Sequence, residues 1–185
     1  LELYGYGAKA FTLSMIETAI ELAGDALDVA GVRALLDAGK ELLAHPVELL
    51  PGAREAVEAA AERGLPILLV TKGDLFHQES KVARSGFGDL VDAVEIVAEK
   101  DVASYRKVLR RNGVDPEGFC MIGNSLRSDA APVLALGSWA VHVPHELTWA
   151  LESVDDDSAV RANPRFSEVA SLQEVPALLA RLLGS

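Results

Sequence analysis

Cysteine, aromatic residues, positive charge and long apolar runs are all scarce in this sequence, and each shortage excludes something. A single cysteine, Cys120, rules out an internal disulfide and suits a cytoplasmic protein. It lies in the apolar run Phe119-Cys120-Met121-Ile122 and reads as a small buried hydrophobe rather than a nucleophile. No stretch approaches the roughly 18 apolar residues of a membrane span, and no secretory signal is visible. Lys and Arg number 17 against 28 Asp and Glu, a formal charge of -11. Such a surface repels phosphate backbones and anionic lipid heads, so neither nucleic acid nor membrane is an expected partner. An anionic small molecule is still allowed, because a bound cation and a few lysines reverse the sign locally. Four scattered histidines, none paired at helical or hairpin spacing, give no zinc signature.

Apolar residues, by contrast, make up half of the 185 positions. That is enough for the core of one domain with a small insert. Residues 1–48 read as helical. Leu13, Ile16, Ile20 and Ala23 recur at helical spacing, with Ser14 and Glu17 as a capping box. Val32, Leu35, Leu36, Leu42 and Leu43 form a second stripe that Pro46 stops. Residues 49–185 follow another pattern. A helix begins at Pro51, carries Ala56, Val57 and Ala60 on its inner face, and ends at Gly64. Short continuous apolar runs then recur at Ile67 to Val70, Val94 to Ala98, Phe119 to Ile122 and Trp139 to Val143, with a weaker extended segment around Phe166 to Val169. Helical patterns near 74–85, 101–112, 128–136 and 172–183 alternate with them. Such runs are buried on both faces, as in parallel sheets, and the alternation predicts an α/β core with helices on both sides. Ligands of such sheets bind at the carboxyl ends of the strands.

Three strand ends carry chemistry. After Val70 comes Thr71-Lys72-Gly73-Asp74. Thr71 offers a hydroxyl, and Lys72 and Gly73 offer backbone N–H groups at the start of a helix, where negative charge is favoured. Any strand-to-helix turn can carry the same residues. After Ala98 comes Glu99-Lys100-Asp101. Lys100 can neutralise an anion there or simply sit on the surface. After Ile122 comes Gly123-Asn124-Ser125-Leu126-Arg127-Ser128-Asp129. Gly123 permits a tight turn, while Asn124 and Asp129 offer the hard oxygen donors that magnesium prefers. The plainer alternative is a helix start with Ser128 or Asp129 near its N-cap.

Taken in order, the threonine, the lysine and the Gly-Asn-Ser loop resemble motifs two, three and four of the haloacid dehalogenase superfamily. Leu50-Pro51-Gly52-Ala53 and the stretch from Gly86-Phe87 to Val91-Asp92 resemble it too. The resemblance covers nearly the whole chain. Lys72-Gly73-Asp74, Gly123-Asn124-Ser125 and His142-Val143-Pro144 are most similar to a phosphatase-like subgroup with a small helical cap. The resemblance implies a Rossmannoid three-layer α/β/α core, with residues 1–48 as part of the cap. It also implies magnesium-dependent hydrolysis of small phosphomonoesters, in the cytoplasm, through an aspartyl-phosphate intermediate. Thr71, Lys72 and Gly73 would then bind the phosphoryl group, and Lys100 would pair with the nucleophile and the phosphate. Asn124 and Asp129 would hold Mg2+, Asp129 directly or from behind. The expected partner is a small phosphorylated metabolite, with room for a homodimer.

Two departures bear on this. No Asp-x-Asp follows an apolar run near the start, although the family carries its nucleophile on a central first strand. Asp25 and Asp28 lie between helical patterns, and Asp155 and Asp157 follow a polar stretch. The strands ending at Val70 and Ile122 would lack their shared neighbour, leaving backbone groups unpaired. The expectation is therefore a longer natural protein, with about 50 residues before Leu1. Asn124 stands where most relatives have aspartate, which lowers metal affinity. The competing functions are a metal-independent haloacid dehalogenase-type hydrolase and a non-catalytic binding module on the same scaffold. A receiver-like domain is disfavoured, because Thr71-Lys72 occupies an early strand end where receivers carry acidic groups.

Other residues carry plainer expectations. Tyr4 and Tyr6 pack the cap on the core, and Lys9 is a surface lysine. His142 is a satisfied core or rim histidine, and His145 lies at a strand end. His77 is exposed, Lys81 and Arg84 form a solvated face, and Trp149 anchors a short helix.

Overall fold

The structure is a computed structural model and describes residues 3–146 and 156–184. Trp149 and Asp155, singled out above, lie outside the described residues. The chain opens with two helices, α1 (Ala8–Ala23) and α2 (Val29–Ala44), packed on one another as a hairpin. The approach is close at Gly39, where a β carbon would overlap Thr12. Asp28 caps α2 by accepting the Gly31 N–H at 2.8 Å. α1 starts after Gly7, so Ser14 and Glu17 fall inside the helix and form no capping box. A capping box needs an extended first residue, and the left-handed φ of Gly7 (108°) supplies the break in its place.

The α/β part follows in the expected order: α3 (Ala53–Ala61), β1 (Leu68–Lys72), α4 (Leu75–Ser85), β2 (Ala93–Val97), α5 (Val102–Arg111) and β3 (Cys120–Gly123). Then come α6 (Ala131–Leu134), β4 (Trp139–His142), α7 (Ser158–Arg161), β5 (Phe166–Glu168) and α8 (Val175–Leu183). Every ladder is parallel. β1 pairs with β2, and β4 lies between β3 and β5. Among the described residues no ladder joins β1 to β3. What bridges them is α5. Tyr105, Val108 and Leu109 pack with Val70 of β1, Met121 of β3, and Phe119 and Val133 beside them. On the opposite face, Ala56 of α3 and Val175, Leu178 and Leu179 of α8 cover Val141, Val143 and Val169. The result is three layers, with α5 and α6 on one face of the β3–β4–β5 sheet and α3 and α8 on the other. Each fully buried side chain such as Leu109 or Val133 contributes about 1.5–3 kcal/mol.

Two details depart from a purely apolar core. Glu95 is buried in the middle of β2, and its two carboxylate oxygens each accept at 2.8 Å, from Arg111 Nη1 and Asn112 Nδ2. Without those donors the burial of a carboxylate would be costly. Cys120 is half-buried, and burial pushes its thiol up to about 11, which suits packing and not nucleophilic attack.

Candidate active site

The parallel ladders aim the ends of β1, β2 and β3 toward one pole. At the end of β1, Thr71 Oγ1 accepts from Gln78 Nε2 at 2.9 Å, and the same nitrogen donates to the Lys72 carbonyl at 2.7 Å. The Lys72 ammonium stands 4.3 Å over the Tyr6 ring and donates to Ser128 Oγ at 3.2 Å. Lys72 therefore links the first helical hairpin, β1 and the loop after β3. The Gly73 N–H, expected to face an anion, instead donates to Val97 O at 3.3 Å. The start of α4 is likewise taken. Asp74 accepts the His77 N–H at 2.9 Å and the Lys9 ammonium at 3.0 Å, and these two hold its carboxyl below the usual carboxylate range. His77 is half-buried and not exposed as expected. Burial, and then the Lys81 ammonium, push its imidazole below the ordinary value.

At the end of β2, Lys100 reaches across to Asp129 with Nζ–Oδ1 at 2.7 Å. Both side chains are largely buried, so the pair is shielded from solvent screening. The other oxygen, Asp129 Oδ2, accepts the Ser125 N–H at 3.0 Å. Around it the chain turns wider than an α-helix. Leu126–Ala130 form a π-turn, with the Ala131 N–H bonded back to Leu126 O. Such turns concentrate at functional sites because they redirect side chains. Here Ser128 and Asp129 are both buried, and Ser125 caps the turn through the Ser128 N–H at 2.9 Å. The cap is thus Ser125, not Ser128 or Asp129 as the sequence left open. The helix expected over 128–136 is this π-turn followed by the single turn of α6.

Gly123 serves a different purpose from the tight turn anticipated for it. Its φ is not left-handed, but a β carbon there would collide with the Asp129 carboxyl. Asn124 is exposed at the tip, and its carbonyl receives His142 Nε2 at 3.1 Å. His142 Nδ1 bonds Glu168 Oε2 at 2.7 Å, and Arg161 Nη1 donates to the same oxygen at 2.9 Å. These two contacts, that of His142 foremost, hold the Glu168 carboxyl below its ordinary range. His142 is a satisfied, buried histidine, and it anchors the loop that carries Asn124.

The helical hairpin closes over this pole. Tyr6 Oη donates to Glu99 at 3.4 Å, and Lys9 meets Asp74 as described. Arg84, expected on a solvated face, donates to the carbonyls of Ala44 at 3.3 Å and His45 at 3.0 Å, where α2 ends. Lys81 is exposed.

A family model for haloacid dehalogenase-like hydrolases matches residues 3–137, which include Thr71, Lys72, Lys100, Asn124 and Asp129. A haloacid dehalogenase-like family hydrolase from Xanthomonas campestris is 43% identical, with a TM-score of 0.85 over 98% of this chain and 71% of that one. The chain belongs to the haloacid dehalogenase-like hydrolases. A HAD family hydrolase from Deinococcus radiodurans, solved with bound phosphate and sodium, shares the fold of this hydrolase at 16% identity. Its TM-score is 0.68, over 97% of this chain and 77% of that one. A 2-haloacid dehalogenase from Pseudomonas syringae pv. Tomato DC3000 shares it at 22% identity, with a TM-score of 0.61 over 95% and 72%. No curated protein matches the chain significantly.

The donors of the hydrolase suit a hard cation in part. Among the described residues no three His, Cys, Asp or Glu side chains gather as a metal site. Asn124 and Asp129 nevertheless bring an amide oxygen and a carboxylate to one loop, and each Asp129 oxygen keeps a lone pair beyond its present bond. Mg2+ is commonly held by one or two such groups, the rest being water and substrate phosphate. No described helix of the hydrolase is long and apolar enough to cross a membrane.

Sequence reasoning missed Gln78, Ser128 and Glu168. Gln78 is visible only once α4 is wound back onto the end of β1. Glu168 becomes relevant only through the β4–β5 register that sets His142 opposite it.

Proposed function

We propose that this hydrolase cleaves small phosphomonoesters with the help of Mg2+, at the pole where β1, β2 and β3 end. The observation that carries the reading is the pair of links Lys100–Asp129 and Lys72–Ser128, which draw the three strand tips and two ammonium groups to one place in an acidic chain. The phosphate-bound state of the Deinococcus radiodurans relative lends the reading support. In this proposal Thr71 donates its hydroxyl to a phosphoryl oxygen. Lys100, held by Asp129, balances charge that accumulates on the phosphoryl group in the transition state. Lys72 adds a second ammonium, kept in place by Ser128 and the Tyr6 ring. Asn124 and Asp129 would hold Mg2+, which supplies charge neutralisation when bound. The nucleophile is proposed to be an aspartate on a strand between β1 and β3, outside the residues described. Attack on phosphorus would form an aspartyl O–P bond as the ester P–O bond breaks, the leaving alkoxide taking its proton from a second carboxylic acid proposed two residues further along that strand. Water, deprotonated by the same carboxylate, would then cleave the acyl phosphate to inorganic phosphate and the free aspartate. Residues 1–48 are proposed as part of the cap that selects the substrate, and the cytoplasm as the compartment.

The test is hydrolysis of p-nitrophenyl phosphate by the natural full-length protein, with and without EDTA, beside chloride release from 2-chloropropionate. Magnesium-dependent phosphate release is expected, with Lys100→Ala lowering kcat/KM on the order of a hundredfold. Halide release without phosphate release would move the protein to the dehalogenases. Phosphate binding without turnover of either substrate would make it a binding module.

A further inference from the structure

We infer that Gln78 is a positioning residue that fixes the polarity of Thr71, so that the threonine hydroxyl keeps its proton for a ligand. The inference rests on the phosphomonoester reading and deepens it. It favours a ligand that presents acceptor oxygens, as a phosphoryl dianion does.

The chemistry of the amide decides the direction. The group facing the Lys72 carbonyl at 2.7 Å must be the Gln78 nitrogen, because a carbonyl only accepts. That nitrogen carries two hydrogens and no available lone pair. One hydrogen goes to Lys72 O, and the other goes to Thr71 Oγ1 at 2.9 Å. A hydroxyl has one proton to give. With Gln78 donating to its oxygen, Thr71 cannot return that proton to Gln78, and the proton is directed elsewhere. Lys72 and Lys100 flank the same strand tips, so the remaining direction is one that an anion favours.

The local backbone is shaped to admit this amide. Gly73 has a φ of +136°, a conformation that L side chains rarely adopt, and a β carbon there would stand 3.2 Å from Gln78 Nε2. Glycine thus keeps the space through which Gln78 reaches both acceptors. Asp74 caps α4 and sets its first turn, which places Gln78 one turn later over the end of β1. Gln78 itself makes no bond to Lys100, Ser128 or Asp129 among its contacts, so it acts through Thr71 and the Lys72 carbonyl alone.

Gln78→Glu keeps the shape and reverses the polarity. A carboxylate must accept from Thr71, which turns the hydroxyl proton away from the ligand, and it meets the Lys72 carbonyl with no hydrogen between them. Gln78→Met keeps the length and removes both donors. The measurement is the dissociation constant of inorganic phosphate with Mg2+ for the natural full-length protein, by calorimetry. It is repeated for Gln78→Glu and Gln78→Met, alone and combined with Thr71→Val. Gln78→Glu is expected to weaken phosphate on the order of tenfold, and Gln78→Met by less. In the Thr71→Val background Gln78→Met should not weaken binding further, because the hydroxyl it acts through is gone, and Gln78→Glu should keep only the smaller loss that comes from its charge and from the Lys72 carbonyl. A purely structural role would give the same loss in both backgrounds, and that result overturns the inference. So does wild-type affinity in a folded Gln78→Glu protein. If Gln78→Glu does not fold, the Gln78→Met cycle decides on the same criterion. Turnover of p-nitrophenyl phosphate by the unsubstituted protein reports separately on the proposed function. Absence of both turnover and phosphate binding overturns that reading and this inference with it.

Discussion

Gly123 sits in extended backbone at the end of β3, so its missing side chain matters for space and not for dihedral freedom. A β carbon would meet the Asp129 carboxyl, which has no room to retreat, because Lys100 holds one oxygen and the Ser125 N–H holds the other. Gly123→Ala is therefore expected to lower stability by about 1–3 kcal/mol, as overpacking does. It should also loosen the Lys100–Asp129 pair. Urea denaturation measures the first effect. A Gly123→Ala protein with unchanged midpoint and slope would show that the carboxyl is not so confined. The sequence displayed this glycine but not its reason. A turn and a close approach leave the same letter, and the neighbour that needs the room is six positions along the chain. Gln78 was hidden for a related cause. Glutamine on a helix is usually solvent-facing, and only the angle between β1 and α4 turns it inward.

Among the elements, α5 depends most visibly on a single cap. Asp101 accepts the Ser104 N–H at 2.7 Å, the first hydrogen bond that fixes where the helix begins. That bond foremost, together with the Ser104 side chain, lowers the Asp101 carboxyl below its ordinary 3.8. A depressed folded value means that ionised Asp101 contributes stability above about pH 3.8, and that this is lost as pH falls through the lower folded value. Asp101→Ala should cost about 1 kcal/mol at neutral pH, and Asp101→Asn much less, since an amide oxygen also caps. As pH falls below 3.8 through the lower folded value, the difference between Asp101→Ala and the parent should shrink. Thermal melts over a series of pH values from 7 downward test this, and a difference that stays constant throughout would refute the ionic part. Elements of this kind were legible in advance. β1, β3 and β4 were short apolar runs, because parallel strands bury both faces, and the structure shifts the expected strand ends by only a residue or two. The π-turn was not legible. Its wider pitch comes from Ser125 O receiving both the Asp129 and Ala130 N–H groups, which no spacing in the sequence signals. The Ser14 to Glu17 pattern failed for the opposite reason, since a real motif lay inside a helix already started at Gly7.

On the scale of the whole chain, α5 and side chains link the two sheets among the described residues, where no ladder joins β1 to β3. Tyr105 is the central member. It is 1% exposed, packs against Val70 and Met121, and donates from its hydroxyl to the Ser128 carbonyl at 3.1 Å. The other links, Lys72–Ser128 and Lys100–Asp129, are polar and lie at one pole only. Tyr105→Phe removes one buried hydrogen bond and should cost about 1–2 kcal/mol. Tyr105→Ala also removes the ring and should cost about 3–5 kcal/mol. The two halves should not respond alike. β3, β4 and β5 retain the second apolar cluster under α3 and α8, whereas β1 and β2 share only the first cluster, through Val70, Leu68 and Val97, and the polar links. Native-state hydrogen exchange on the 185-residue chain reads this directly. In Tyr105→Ala the amides of β1 and β2 should exchange at a lower free energy than those of β4, whereas in the parent the two sets should lie close together. An equal drop in both sets would mean that the sheets are coupled by something other than α5, and that the pole holding Thr71 and Asp129 has a stiffer frame than side chains alone provide.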